Sequence, residues 1–449
     1  MTHAAPPIAA PHGASTAAPL QGDAALVRAI GPVALGASII NIIVGAGIFM
    51  LPALLVTRMG AGAPLAFVAG ALAIVPIALC FAAVGSRAAA TGGPYTYASA
   101  AFGPFSGFIA GALMWLGNVA SSAGVAAALS SQVASASPAF NDPLWRGIFL
   151  VGVYLALFGL NAFGVKLGSR AINVLATMKL APLFLLVAVG VWFVDWTQIS
   201  FTQVPSWTAL GSSMVLMIFA YSGMETALIP SGEVRDPARQ IPRATMGAIA
   251  LVVALYIGIQ VVCQGLLGNG ALAASTAPIA DAGGALWSPA RALLLLTAAV
   301  SMTGFLMGNL FASSRLLFAL GRDGYLPAAY GRVDARHRVP RLALATHAGI
   351  GLLLALAGSF ETLALISGGA ICLVFAVVGL AAWRAQATNL RERGEPLVLP
   401  GGPLIPAVAV LTMAATLATL SSREWLAISL SLAALVAVYA VLAGMRRRN

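Results

Sequence analysis

Apolar positions along the 449 residues come in long blocks, with neither the single stripe of an amphipathic helix nor the strict alternation of a half-buried strand. Ala248 to Val262 is apolar almost without interruption. A membrane β-barrel is therefore excluded, since its segments of about ten residues alternate in polarity. Twelve blocks of spanning length can be placed, roughly at 31–58, 62–86, 104–136, 144–163, 170–194, 211–230, 243–268, 285–320, 340–359, 362–383, 402–420 and 424–444. The pattern predicts an all-α membrane protein with twelve transmembrane helices, numbered here as spans 1 to 12.

Two spans are interrupted. Span 1 reads ASIINIIVGAGIFMLPA over 37–53, with Gly45-Ala46-Gly47 at its middle and Pro52 beyond. Each Gly costs a helix about 1 kcal/mol relative to Ala, so the pair reads as a packing notch, a close-approach site or a break. Span 6 reads IFAYSGMETALIPSGEV over 218–234, with Ser222-Gly223 at its middle and Pro230 downstream. Matching interruptions five spans apart favour the break. They point to an inverted-repeat transporter whose substrate site is built from unwound backbone near the midplane, since irregular backbone at that depth is tolerated only beside a cavity.

Composition adds that the chain is not a soluble domain: 60% of residues are hydrophobic, 8% are charged, and the mean hydropathy is +0.94. The net charge of +11 would permit nucleic-acid binding, but its distribution explains it otherwise. Nineteen of the 24 Lys and Arg fall on the side of the N-terminus, four (Arg58, Arg146, Arg291 and Arg423) on the other, and Lys179 lies within span 5. Basic residues mark the cytoplasmic side, so both termini are expected there and no nucleic-acid partner is expected. Residues 1–25 read as a disordered cytoplasmic tail without the basic start and short apolar core of a cleaved signal peptide. Cys80, Cys263 and Cys372 stand singly in separate spans, and the four His are scattered, so neither disulfide, metal site nor cofactor is expected.

Two ionisable residues sit well inside spans: Lys179, and Glu225 in span 6. Such groups are expensive in hydrocarbon and are functional candidates unless they snorkel or pair structurally. Lys179 follows Arg170 by nine residues, roughly 13 Å along a helix, which is deep for snorkelling. No span shows a repeated polar stripe, which argues against a channel. One Lys and one Glu without a nucleophile and base make no catalytic constellation, so an enzyme is not expected.

Gly45-Ala46-Gly47-Ile48-Phe49, TGGPYTYASAAFGP at 91–104, FAYSGMETA at 219–227 with GEVRDPARQIPRA at 232–244, and SSRLLFALGRDGYLP at 313–327 together resemble the amino acid–polyamine–organocation superfamily, from about residue 26 to 445. The resemblance implies two inverted repeats of five helices, over 26–200 and 201–385, with spans 11 and 12 and a basic C-terminus in 386–449. By the same resemblance, the backbone N–H groups of Val44, Gly45, Ala46, Gly47 and Ile48 meet a substrate carboxylate. Phe219, Ala220 and Tyr221, with Gly223 at the break, meet the substrate amino group. Phe219 is expected to be a gate, where a related antiporter has Trp. Asn118, in MWLGNVASS, is expected to face the substrate side chain or to join helices. Lys179, in NVLATMKLAP, resembles the lysine of proton-coupled members and of many exchangers, and with Glu225 is the expected proton-coupling group. The implied function is secondary active transport of an amino acid across the inner membrane by alternating access. Proton-coupled uptake is the first expectation. Exchange of amino acids or amines, or sensing without turnover, are the alternatives.

Overall fold

The computed structural model describes residues 31–446 other than 89–91, 164–168, 201–205, 230, 232–233, 335–336, 338, 392–393 and 421. The expected tail at 1–25 and the basic pair Arg447-Arg448 lie outside the described residues. Helices make up the regular structure: α1 Pro32–Ile43, α2 Ala46–Met59, α3 Ala63–Arg87, α4 Pro94–Phe102, α5 Pro104–Ala136, α6 Pro143–Ala162, α7 Ser169–Gly190 and α8 Trp207–Tyr221, then α9 Met224–Ala227, α10 Pro237–Ala274, α11 Pro278–Leu286, α12 Ser288–Arg322, α13 Arg341–Ala357, α14 Phe360–Ala387, α15 Leu404–Ala418 and α16 Ser422–Arg446. Several begin with a proline in the first turn, where its missing N–H leaves nothing unpaired. Others are capped by side chains. Asp142 accepts from Leu144 and Trp145 N–H at α6, and Ser359 accepts from Thr362 N–H at α14.

Six helical stretches among the described residues are long and apolar enough to cross a membrane: Ala46–Arg87, Pro104–Ala136, Pro143–Ala162, Pro237–Ala274, Ser288–Arg322 and Phe360–Ala387. The chain is thus a multi-pass helical membrane protein. Four of the other expected spans are broken or short. Span 1 is divided between α1 and α2, span 6 between α8 and α9, and spans 9 and 11 are helices of 17 and 15 residues. Burial separates the interior from the rim: the apolar window of α5 is 89% buried and that of α6 only 17%. α5 packs on α4, α12, α13 and α14, and the cavity described below opens against its middle.

Among the described residues, the contacts between distant loops named here join loops expected on one side. On the expected outer side Arg58 pairs with Glu361, Gln132 donates to Thr276 O at 3.2 Å, and Arg146 donates to Ala355 O at 3.1 Å. On the expected inner side the Tyr95 hydroxyl donates to Asp323 at 2.6 Å and that of Tyr325 to Pro104 O at 3.3 Å. Burial, and then the bond to Asp323, hold the Tyr95 phenol well above its ordinary range, so it stays a donor. Nearby, Arg87 is buried and donates to the carbonyls of Leu390 and Leu397.

Candidate functional site

α1 ends in an inverse γ-turn. Val44 has φ −75° and ψ 73°, and Gly45 N–H turns back to Ile43 O at 2.7 Å while Val44 N–H still bonds Ile40 O at 2.9 Å. Those two N–H groups of the expected substrate site are thus spent locally. Ala46, Gly47 and Ile48 form the first turn of α2, whose N–H groups have no acceptor within the helix.

The turn also frees carbonyls, and side chains from three other helices meet them. Lys179 Nζ, from α7, donates to Asn41 O at 2.7 Å and to Val44 O at 2.9 Å. Ser301 Oγ, from α12, donates to Val44 O at 2.7 Å, and the Tyr256 hydroxyl, from α10, to Ile43 O at 3.0 Å. Lys179 is 1% exposed. It does not snorkel: its ammonium lies at the C-terminal end of α1, where the helix dipole is negative and adds to the two hydrogen bonds.

The second break sits against the first. Gly223 has φ 131°, and a Cβ there would lie 2.9 Å from Ile43 N, so only glycine fits. A Cβ on Gly47 would lie 3.2 Å from Ala220 Cα, so α2 and α8 cross in close approach, and a Cβ on Gly45 would meet the Phe305 ring at 3.0 Å. The glycines of span 1 therefore serve both as a break and as contact points. Gly223 N–H donates to both carboxylate oxygens of Glu225, at 2.9 and 2.8 Å, which closes the turn into α9. Glu225 is 2% exposed and, among the described ion pairs, belongs to none. The Phe219 carbonyl accepts from Ser222 Oγ at 2.7 Å, and its ring packs edge-on against Phe360 with centroids 5.8 Å apart. Tyr221 stacks on Tyr256 at 5.4 Å and donates to Phe67 O at 3.2 Å.

Beside the crossing, α1, α5, α9, α12 and α14 line a partly open cavity of about 10 Å³, room for one water molecule. A chain of hydrogen bonds runs along its wall. Thr226 Oγ1 donates to Asn118 Oδ1 at 3.2 Å, Asn118 Nδ2 to Ser313 Oγ at 3.0 Å, and Ser313 Oγ to Asn309 Oδ1 at 3.3 Å. Of the candidates read from the sequence, Asn118, Gly223 and Glu225 line this cavity. Lys179 is bonded to the break of span 1, and Ala220 packs against Gly47 at the crossing. Asn118 joins α5 to α9 and α12 and lines the cavity.

Sequence reasoning missed Ser121, Thr226, Phe305, Asn309 and Ser367 in the lining, and Tyr256 and Ser301 behind the break. A signal for α12 was present. Ser301, Phe305, Asn309 and Ser313 recur every four residues on one helical face, so the expectation that no span has a polar stripe is corrected. The stripe forms no open path, because Phe305 interrupts it and its polar groups bond one another or the broken span.

Comparison with known proteins accords with this arrangement. A family model described as amino acid permease matches residues 30–445. The serine/threonine exchanger SteT of Bacillus subtilis (strain 168) is 26% identical over 436 residues, covering 92% of this chain and 95% of the relative. The branched-chain amino acid permease BcaP of the same organism is 25% identical, covering 87% of each. The chloroplastic cationic amino acid transporter 9 of Arabidopsis thaliana is 26% identical over 72% of this chain, which spans 60% of that relative's length. With a family match that runs nearly end to end over a broken-helix architecture, the chain belongs to the amino acid permeases of the amino acid–polyamine–organocation superfamily.

Proposed function

We propose that the protein is a secondary active transporter that takes up an amino acid across the inner membrane together with a proton. In this reading twelve spans form two inverted repeats, over 26–200 and 201–385, followed by spans 11 and 12 in 386–449, with both termini in the cytoplasm. The loop contacts described above, each joining loops of one expected side, support that layout. The substrate carboxylate meets the first turn of α2, at Ala46, Gly47 and Ile48, where free N–H groups and the positive helix end favour an anion. The amino group meets the turn after α8, and Phe219 closes over the ligand as a gate.

The observation that carries the reading is the ammonium of Lys179 on the carbonyls of Asn41 and Val44 at the break of span 1. A proton leaving Lys179 removes the charge that holds this turn, so protonation and the shape of the substrate site are linked. Glu225, buried between the second break and the cavity, is the other group through which a proton acts on the site. Exchange of internal for external amino acid is the second reading, favoured by the serine/threonine exchanger that aligns along 92% of this chain.

Labelled amino acid uptake into proteoliposomes, with and without an inward proton gradient, tests the proposal. Wild-type uptake is expected to rise with the gradient. Lys179→Ala is expected to lose that stimulation, while equilibrium binding weakens by less than about tenfold, roughly one charge-assisted hydrogen bond's contribution. Wild-type uptake indifferent to the gradient but driven by internal substrate is the outcome that selects exchange.

A further inference from the structure

The relatives' substrates range from serine and threonine to branched-chain and cationic amino acids, so family membership leaves the cargo open. The cavity wall is more selective. We propose that this cavity is the side-chain subsite for a small, neutral, hydroxyl-bearing amino acid, with the Ser121 hydroxyl and the Asn309 amide nitrogen as the groups that read the substrate hydroxyl. The inference rests on the transport reading above.

Size gives the first constraint. A cavity of about 10 Å³ admits one water-sized group, such as a hydroxyl on a short stem. A longer side chain has to displace Phe305, Ile371 or Ile42, all packed into the wall.

Polarity gives the second. Most polar groups around the cavity are already engaged: Asn118 at both ends of its amide, Ser367 with Gly117 O at 2.8 Å, and Ser222 with Phe219 O at 2.7 Å. Asn309 uses its Oδ1 to accept from Ser313. Among the described residues, Ser121 Oγ and Asn309 Nδ2 face the cavity without a hydrogen-bond partner, although Ser121 is 7% and Asn309 1% exposed. Their chemistries are complementary to one alcohol. Asn309 Nδ2 can only donate, and Ser121 Oγ can accept. A substrate hydroxyl that accepts from the first and donates to the second satisfies both, whereas an apolar side chain of equal shape leaves both unpaired in a buried site. No basic side chain lines the cavity and the Glu225 carboxylate does, which disfavours an acidic substrate.

Threonine and valine are near-isosteres that differ by this one hydroxyl, so they form the decisive pair. The measurement is the thermal unfolding midpoint of the purified full chain in detergent, titrated with threonine, serine, valine, leucine or lysine to give apparent affinities. Threonine or serine is expected to bind about tenfold or more tighter than valine, since a site built to pair a hydroxyl rejects the analogue that lacks it. Ser121→Ala is expected to reduce the threonine-to-valine ratio about tenfold. Valine or leucine binding as tightly as threonine overturns the subsite and leaves the transport reading standing. An unchanged ratio in Ser121→Ala overturns the assignment of Ser121. Failure of every amino acid to shift the midpoint overturns the transport reading, and the subsite with it.

Discussion

The residues around the first break share one task, which is to give buried carbonyls a donor in a place where water cannot. Lys179, Ser301 and Tyr256 supply four hydrogen bonds to three carbonyls, each from a different helix. An unmet carbonyl at this depth costs more than a bond contributes, so deleting one donor is felt mainly through what it leaves behind. Tyr256→Phe is a mild case, because Ile43 O keeps the Gly45 N–H and the ring keeps its stack on Tyr221 and its edge contact with Phe67 while losing only the hydroxyl's bond. The expected loss is about 1 kcal/mol of stability, read as a lower unfolding midpoint in detergent. Maximal uptake rate should change more than KM, because the hydroxyl touches the hinge and not the cavity. A matching loss in binding alone would assign Tyr256 to the ligand instead.

At the scale of helices, the two interrupted spans hold each other open. Gly223 sits where α9 begins, at positive φ, with the backbone of Ile42 and Ile43 only 2.9 to 3.0 Å from where a Cβ would lie. Gly223→Ala meets both a strained backbone, about 1 to 3 kcal/mol, and a collision with main chain that no rotamer relieves. It is expected to reduce the folded, monodisperse yield severely, which size-exclusion chromatography reads directly. Gly47→Leu is expected to act on packing first. A side chain at that position drives α2 off Ala220 and disturbs packing as well as any ligand. Both breaks were legible because glycine inside an apolar run is conspicuous, and Lys179 and Glu225 because a charge there is costly. The hydroxyls of α5 and α14 were not. Serine and asparagine in a membrane helix bond a neighbouring helix or line a cavity with equal ease, and only the rotation of each helix decides which. Tyr256 was hidden for a similar reason, since one phenol in an apolar core carries no sign of where its hydroxyl points.

For the molecule as a whole, loops are tied together on both expected faces while the cavity between them admits one water, so admitting an amino acid requires one set of ties to part. Asp323 is the anionic centre of the inner set, accepting from Tyr95 and paired with Arg322. Asp323→Asn weakens both contacts. A loosening of about 1 kcal/mol corresponds to roughly a fivefold rise in the open population, and trypsin cleavage of the inner loop at Arg322 and Arg332 is expected to accelerate by about that factor. The same inner face holds a contact from the far end of the chain. Tyr439 of α16 lies against Phe105, Phe108 and Tyr325, with ring centroids 5.0, 5.4 and 5.9 Å apart. This aromatic cluster anchors α16 together with Ile428, Leu432 and Leu435, which pack on the core. The consequence concerns the order of synthesis. A ribosome delivers Phe105 and Phe108 early, Tyr325 much later and Tyr439 later still, so the cluster stays incomplete until α16 has been made. A chain interrupted before Tyr439 has every element of the cavity and both breaks, yet lacks the ring that packs on α5 and on Tyr325 at once.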